Sequence, residues 1–244
     1  MSTVRGARER ARIEVTAAIK DEARRRLAAE GAAKLSLRAV ARELGMVSSA
    51  LYRYFPSRDD LLTALIIDAY DSVGAAAEAA LAGRAGAAPR ERWTAVCAAV
   101  RDWALAHPHE YALIYGSPVP GYSAPQDTVG PASRVGNALI AVLREAHAGP
   151  GLALPPLPAE LCPEAERMTE EFAPGLPPQV TAALVAAWAQ LVGLISFELF
   201  GQFQRVVEDT ERARFFRHNA DRLAHEVGLP AGSGPGDQGN LGRR

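Results

Sequence analysis

Apolar positions recur at helical spacing along almost the whole chain. Val15, Ile19, Ala23 and Leu27 fall every four residues, and Gly31 follows as a stop signal. Leu37, Val40, Ala41 and Leu44 occupy i, i+3, i+4 and i+7, which predicts a helix over 36–44 with Ser36 as its N-cap and Gly45 as its break. A short helix over 48–54 follows and ends before Pro56. Ser57 and Asp60 have the spacing of a capping box that opens a long helix over 57–82. Trp93, Val96, Val100 and Trp103 continue the pattern to a stop near His107 and Pro108. Pro118, Pro120, Pro125 and Pro131 predict a long ordered loop over 116–131. Helices are expected over 132–147, 178–205 and 209–227, with a Pro- and Gly-rich connection over 148–163. No stretch sustains period-two alternation. The expectation is an all-α fold of about nine helices.

Composition narrows this only a little. A chain of 244 residues with 48% hydrophobic and 23% charged positions has enough apolar material for a core, which excludes wholesale disorder. Cys97 and Cys162 stand alone, which fits a reducing compartment and leaves no thiolate metal cluster. The first ten residues are polar and charged where a secretory leader needs an apolar run, so the expected location is cytoplasmic. The charge-free run between Glu171 and Glu198 is long enough to cross a bilayer, which takes about 20 residues. Prolines crowd its start, and Gln179, Thr181, Gln190 and Ser196 lie along it, so it reads as a buried helix of a bundle.

Charge distribution changes the picture more. Residues 1–58 hold 13 basic against 6 acidic side chains, a local balance of +7 inside a chain whose net charge is −1. A basic front and an acidic rear suggest that one end meets a polyanion. Helix 36–44, the turn at Gly45 and helix 48–54 form a helix-turn-helix pattern in that basic front. Leu51 is expected to face Val40 and Leu44, leaving Ser48, Ser49, Ala50, Tyr52 and Arg53 on the outer face for a major groove. Ser36 and Arg38 at a helix start can hold a phosphate, and Tyr52, Tyr54 and Arg58 can hold another. Arg5, Arg8, Arg10 and Arg12 suit either a solubilising arm or a second backbone contact.

The runs Leu35-Ser-Leu-Arg-Ala-Val-Ala-Arg-Glu-Leu-Gly45 and Ala50-Leu-Tyr-Arg-Tyr-Phe-Pro-Ser-Arg58 resemble the TetR family of bacterial transcription regulators over residues 10 to 70. Val47 departs from the pattern, standing where many relatives carry an N-cap Ser, with Ser48 one place later. The segment from Trp103 to Tyr122 resembles the WHG-type carboxy-terminal domain of a subset of that family. The resemblance implies a DNA-binding domain over 1–58, a connecting helix 57–82 and an effector and dimerisation domain over 83–227; the Gly-rich polar composition of 228–244 predicts a disordered tail. The resemblance also implies a homodimer on palindromic double-stranded operator DNA, most simply a repressor released by a small effector.

Particular residues can be assigned to those roles. The end of helix 57–82, the Trp103–Tyr115 segment and helix 179–197 are expected to enclose an apolar effector cavity, with Ile67, Tyr70, Trp103, Tyr111, Tyr115 and Trp188 lining it. Helices 179–205 and 209–227 are expected to form a four-helix bundle across a two-fold axis through Leu191, Leu194, Phe197, Phe200, Phe216 and Leu223. His107, His109 and Glu110 offer metal-ligating chemistry, yet Pro108 separates the imidazoles and no fourth ligand is evident, so capping and packing are the expectation. No nucleophile elbow, phosphate loop or dinucleotide fingerprint occurs, and neither enzymatic activity nor a cofactor is expected. A helical scaffold without ligand-controlled DNA binding is the alternative, and it leaves the basic helix-turn-helix unexplained.

Overall fold

The computed structural model describes residues 2–230, with side chains from Gly6 onward. All regular structure among the described residues is helical. Ten α-helices follow in order: α1 (Ser2–Glu30), α2 (Leu37–Glu43), α3 (Ser48–Leu51), α4 (Arg58–Ala82), α5 (Pro89–Ala106), α6 (Pro108–Tyr115), α7 (Val129–Ala148), α8 (Cys162–Phe172), α9 (Pro178–Leu199) and α10 (Arg212–Glu226). The chain divides into two compact units: residues 2–72 with Ala106–Ala132, and Val73–Leu105 with 133–230.

The first unit closes around one apolar cluster. Ile19, Ala23 and Leu27 of α1 meet Leu37, Val40 and Ala41 of α2, Leu51 of α3, Phe55, and Leu61, Leu62 and Leu65 of α4. Leu113 of α6 and Val119 and Tyr122 of the following loop pack against the same cluster. The segment 106–132 therefore sits with the amino-terminal helices, where the pattern had assigned it to the carboxy-terminal domain. Polar links hold it there: Arg24 of α1 pairs with Glu110 of α6 at 2.9 Å, and the Tyr122 hydroxyl meets that of Thr63 at 2.9 Å.

The second unit is braced by α5. Arg101 donates to both oxygens of Glu198 on α9, at 2.7 and 2.5 Å, and lies over the Phe216 ring of α10, 5.4 Å from its centroid. Arg90 grips Asp221 of α10 through two bonds of 2.5 and 2.6 Å, and this holds the Asp221 carboxyl below its usual range. Gly74 lets α4 and α7 approach closely, because a Cβ there would come within 2.7 Å of the Arg134 Cβ. The Arg134 guanidinium turns aside to pair with Glu78 at 2.7 Å.

Several expected boundaries move, each for a local reason. α1 is helical from Ser2, well ahead of the first apolar repeat. Pro108 and Pro163 both occupy first-turn positions, where a missing N–H costs nothing, so α6 forms where a stop was expected and α8 starts at the end of the expected connection and runs beyond it. Pro131 likewise falls within the first turn of α7, which begins at Val129. α9 ends at Leu199 rather than at 205: Gly201 turns the chain with φ 77°, and the Gln202 N–H bonds back to the Phe197 carbonyl at 2.8 Å. α9 is apolar and long enough to cross a membrane by length and composition. It buries one stripe, Val180, Leu184, Ala187, Leu191 and Ile195, and leaves Val185 and Phe197 exposed, so it is not buried all round. The expected tail also starts later. Leu229 is fully buried, its N–H bonds to the Ala224 carbonyl at 2.9 Å, and the Gly228 carbonyl accepts from Ala153 at 2.9 Å. Residues 231–244 of that expected tail lie outside the described residues.

One side chain anchors the shortest helix. Leu51 is the only buried residue of α3. Leu51→Ala should cost about 2–5 kcal/mol of stability, read as a fall in the urea midpoint at unchanged slope. A midpoint equal to the wild type would show that α3 is held by other means.

Candidate nucleic-acid interface

A turn and a cap set the geometry of α2 and α3. Gly45 adopts φ 63°, and the following N–H of Met46 reaches back to the Ala41 carbonyl at 2.9 Å, closing α2 in a left-handed turn. Val47 is the N-cap of α3, extended at φ −68° and ψ 137°, with its side chain 69% exposed and no side-chain bond to offer. The first turn of α3 is thus held by backbone alone, through Ala50 N–H to the Val47 carbonyl at 2.9 Å. Beyond Leu51 the helix relaxes into turns, with Tyr54 N–H bonded to the Leu51 carbonyl at 2.8 Å. Ser57 caps α4 through its hydroxyl, which accepts from the Asp60 N–H at 3.1 Å; the Asp60 carboxylate accepts from that same hydroxyl at 2.7 Å instead of from the backbone N–H of a full capping box.

The outer face emerges from this scaffold. Ser48, Ser49, Tyr52 and Arg53 are exposed and Ala50 is half-buried. Arg38 is exposed on α2, and Ser36 stands half-buried at its N-cap with no side-chain capping bond, so its hydroxyl is not committed to the helix. Arg42, one turn beyond Arg38, is exposed on the same side, and its i+4 spacing from Arg38 is the sequence signal that adds it to this face. Arg38, Arg42 and Arg53 have no ion-pair partner among the described residues.

Two expected contacts are placed differently. The Arg58 guanidinium donates to the carbonyls of Ala32, Leu35 and Ala33 at 2.9, 3.2 and 3.4 Å, tying the turn between α1 and α2 to the start of α4. Those carbonyls belong to the 3-10 turn Ala32–Lys34 and its C-cap Leu35, so Arg58 is a brace where a phosphate contact was expected. Tyr54 is half-buried against the core of the first unit, whereas Tyr52 projects outward.

The expected effector residues fall in both units. In the first, Tyr70, Tyr111 and Tyr115 form an aromatic cluster, with ring centroids 6.0 Å apart for Tyr70–Tyr115 and 5.1 Å for Tyr111–Tyr115. The Tyr70 hydroxyl donates to the Ile114 carbonyl at 3.4 Å, and Ile67 is half-buried on the same helix. Burial raises the hydroxyls of Tyr70 and Tyr115 above the usual phenol range, with neighbouring tyrosines adding to it, so both stay neutral at physiological pH. Trp103 is buried and Trp188 half-buried in the second unit.

The expected interface residues also divide. Leu191, Phe216 and Leu223 are buried in the second unit's own core, because they lie on the sides of α9 and α10 that face each other and α5. Phe197 and Phe200 are 53% and 47% exposed, and Leu194 lines an open apolar groove of about 340 Å³ with Phe197, Phe203 and Phe215. Cys97 is not poised for chemistry by its surroundings: burial pushes its thiol up to about 12, which keeps it protonated. Among the described residues no group of three or more His, Cys, Asp or Glu could hold a metal ion.

An exposed cationic helix-turn-helix on an all-helical chain defines a DNA-binding transcription regulator. Residues 19–65 match the bacterial regulatory proteins of the tetR family, and residues 93–223 match the tetracyclin repressor-like C-terminal domain. The chain is 43% identical over 202 residues to the HTH-type transcriptional regulator Rv1816 of Mycobacterium tuberculosis, covering 81% of this chain and 86% of that protein. The solved regulatory protein SCO4313 is 36% identical with a TM-score of 0.73, over 89% of this chain and 98% of that one. The TetR family regulator PfmR from Thermus thermophilus, 19% identical with a TM-score of 0.56, shares the fold over 87% of this chain and 99% of its own. The chain belongs to the TetR family of transcription regulators, and it is not an enzyme.

Arg53→Ala should weaken binding to a selected duplex by about 1–3 kcal/mol and relax preference at one base position, while Arg38→Ala should weaken all sequences alike. Arg58→Ala should instead lower the melting temperature and leave the salt dependence of binding unchanged. Fluorescence anisotropy across a salt series and a thermal melt separate the two roles.

Proposed function

We propose that this chain is a cytoplasmic homodimeric repressor that occupies palindromic operator DNA and is released by a small, mainly apolar effector. The observation that carries the reading is the exposed, unpaired cationic face of α2 and α3. Ser36, Arg38, Arg42 and Tyr52 position the head on phosphates, and Ser48, Ser49, Ala50 and Arg53 meet base edges. Two copies are needed because one four-residue helix reads too few bases for a unique site. Half-sites on one side of the duplex recur about 34–36 Å apart.

The α9 and α10 groove is the dimer surface in this reading. Phe197 stacks edge-on against Phe203, and Phe203 against Phe215, each pair 5.7 Å apart, beside the exposed Phe200. An aromatic patch of this kind on a soluble chain marks a protein contact.

Ile67, Tyr70, Tyr111 and Tyr115 contact the effector. Neutral phenols in apolar surroundings favour an uncharged aromatic or amphipathic molecule over a sugar phosphate or a cation. A link to the head lies within the same unit: Arg24 of α1 pairs with Glu110 of α6 at 2.9 Å and with Asp68 of α4 at 2.6 Å, and Lys20 reaches Asp68 at 2.8 Å. A ligand that displaces α6 therefore pulls on α1 and α4 together. It changes DNA affinity only through its differential affinity for the two arrangements.

Light scattering at micromolar concentration should give a dimer for the wild type and a monomer for Phe197→Glu. Neutral aromatic compounds screened for release of the selected duplex should include active ones. Tyr115→Phe, which keeps the ring, should raise the concentration needed by about tenfold and leave effector-free DNA binding within a few-fold. A monomeric wild type, or release by cations alone, would overturn this reading.

A further inference from the structure

The cations of the basic front sort into two groups. Lys20, Arg24, Arg25 and Arg26 are tied to carboxylates of the first unit, and Arg58 to backbone carbonyls. Arg8, Arg10 and Arg12 are exposed and have no ion-pair partner among the described residues, like Arg38, Arg42 and Arg53 of the helix-turn-helix. The side chain of Arg5 lies outside the described residues. The unpaired cations of the described front are thus concentrated in the first turns of α1 and on the α2–α3 face, with Lys34 between them.

The projecting part of α1 has a specific orientation. The helix spans 29 residues, yet its first fully buried residue is Ile19 and everything from Ala7 to Glu14 is exposed. Gly6 to Val15 corresponds to about 13 Å of helix at 1.5 Å per residue. The buried stripe of α1 is Ile19, Ala23 and Leu27, with Val15 packed at its edge. Counting back at helical spacing, Arg12 precedes Ile19 by seven residues, and Arg8 precedes Arg12 by four. The face that is apolar where α1 packs on the head turns cationic where α1 leaves it. Arg10 falls on the opposite side. Arg12 also lines a groove of about 640 Å³ whose other wall carries Tyr54 and Phe55, the residues that close the recognition segment. The cationic stripe therefore overhangs the same end of the head that presents α3.

We propose that Arg8 and Arg12 form a second DNA-contacting surface, gripping the phosphate backbone that flanks each half-site. The proposal rests on the DNA-binding reading above and adds contacts outside the helix-turn-helix. Guanidinium groups on an exposed helix have no base edge to read there, so they add affinity and salt dependence without sequence preference. A dimer supplies four such groups, and each neutralised phosphate contributes about 0.9 to the slope of log affinity against log salt.

The test uses the full chain and a duplex selected by it from random sequence, with flanks of ten base pairs on each side. R8A/R12A should reduce the salt slope by about 3 to 4 between 50 and 200 mM salt, select the same core sequence and keep wild-type helicity. R10A should keep the wild-type slope. On a duplex trimmed of its flanks, the wild type and R8A/R12A should bind alike. If the wild type selects a sequence and R8A/R12A matches its slope on the flanked duplex, the overhang does not touch DNA and only the helix-turn-helix reading stands. If R10A loses as much as R8A/R12A, the assigned face is wrong. If the wild type selects no duplex, the DNA-binding reading falls and this inference falls with it.

Discussion

The reading surface of this protein depends on the burial of Leu51 in a cluster built from α1, α2 and α4. A helix of four residues has no stability of its own, because forming one turn fixes several backbone angles for a single hydrogen bond. Its N-cap is a valine that supplies no side-chain bond, so packing alone decides where Ser48, Ser49 and Arg53 point. Gly45 contributes the one backbone angle that lets α2 end and α3 begin within a few residues. Arg58 then fixes the far side of the cluster by tying the turn between α1 and α2 to the start of α4.

Ion pairing sorts the head into structure and function. Glu22 is nearly buried and forms ion pairs with both Arg25 and Arg26, at 2.8 and 3.0 Å. A carboxylate so far from water is tolerable only when paired, which commits those guanidiniums to the fold. Arg24 is likewise shared among Asp21, Asp68 and Glu110. What remains unpaired is the charge that a polyanion can use, and it lies on α2, α3 and the overhang of α1. The local excess of +7 thus includes cations that are already paired within the fold.

In the second unit the apolar helix α9 keeps two characters. One stripe packs inward, and the Arg101–Glu198 pair with the Phe216 ring fixes its carboxy-terminal end. Its other side carries exposed valine and phenylalanine. Composition alone makes the helix look uniformly buried, because hydropathy counts apolar residues without regard to which side they occupy.

The elements that carry strong local signals were legible from the chain itself. The four-residue apolar repeat of α1, the glycine at 45, the Ser57–Asp60 capping spacing and the Leu-Tyr-Arg-Tyr-Phe-Pro-Ser-Arg run fixed a helical class and placed the helix-turn-helix. α6 and α8 were not legible as elements, since proline is read as a stop although it suits a first turn. Side-chain partners were hidden as well. Arg58 has the spacing of a phosphate contact, and only the meeting of α4 with the turn after α1 aims it at three carbonyls. Leu191, Phe216 and Leu223 are as apolar as the exposed Phe197 and Phe200, and only packing within the second unit decides which sides of α9 and α10 face inward. Helical spacing is a property of consecutive residues and survives in the sequence. Which face is covered depends on segments tens to more than a hundred residues away, and only the folded chain brings those together.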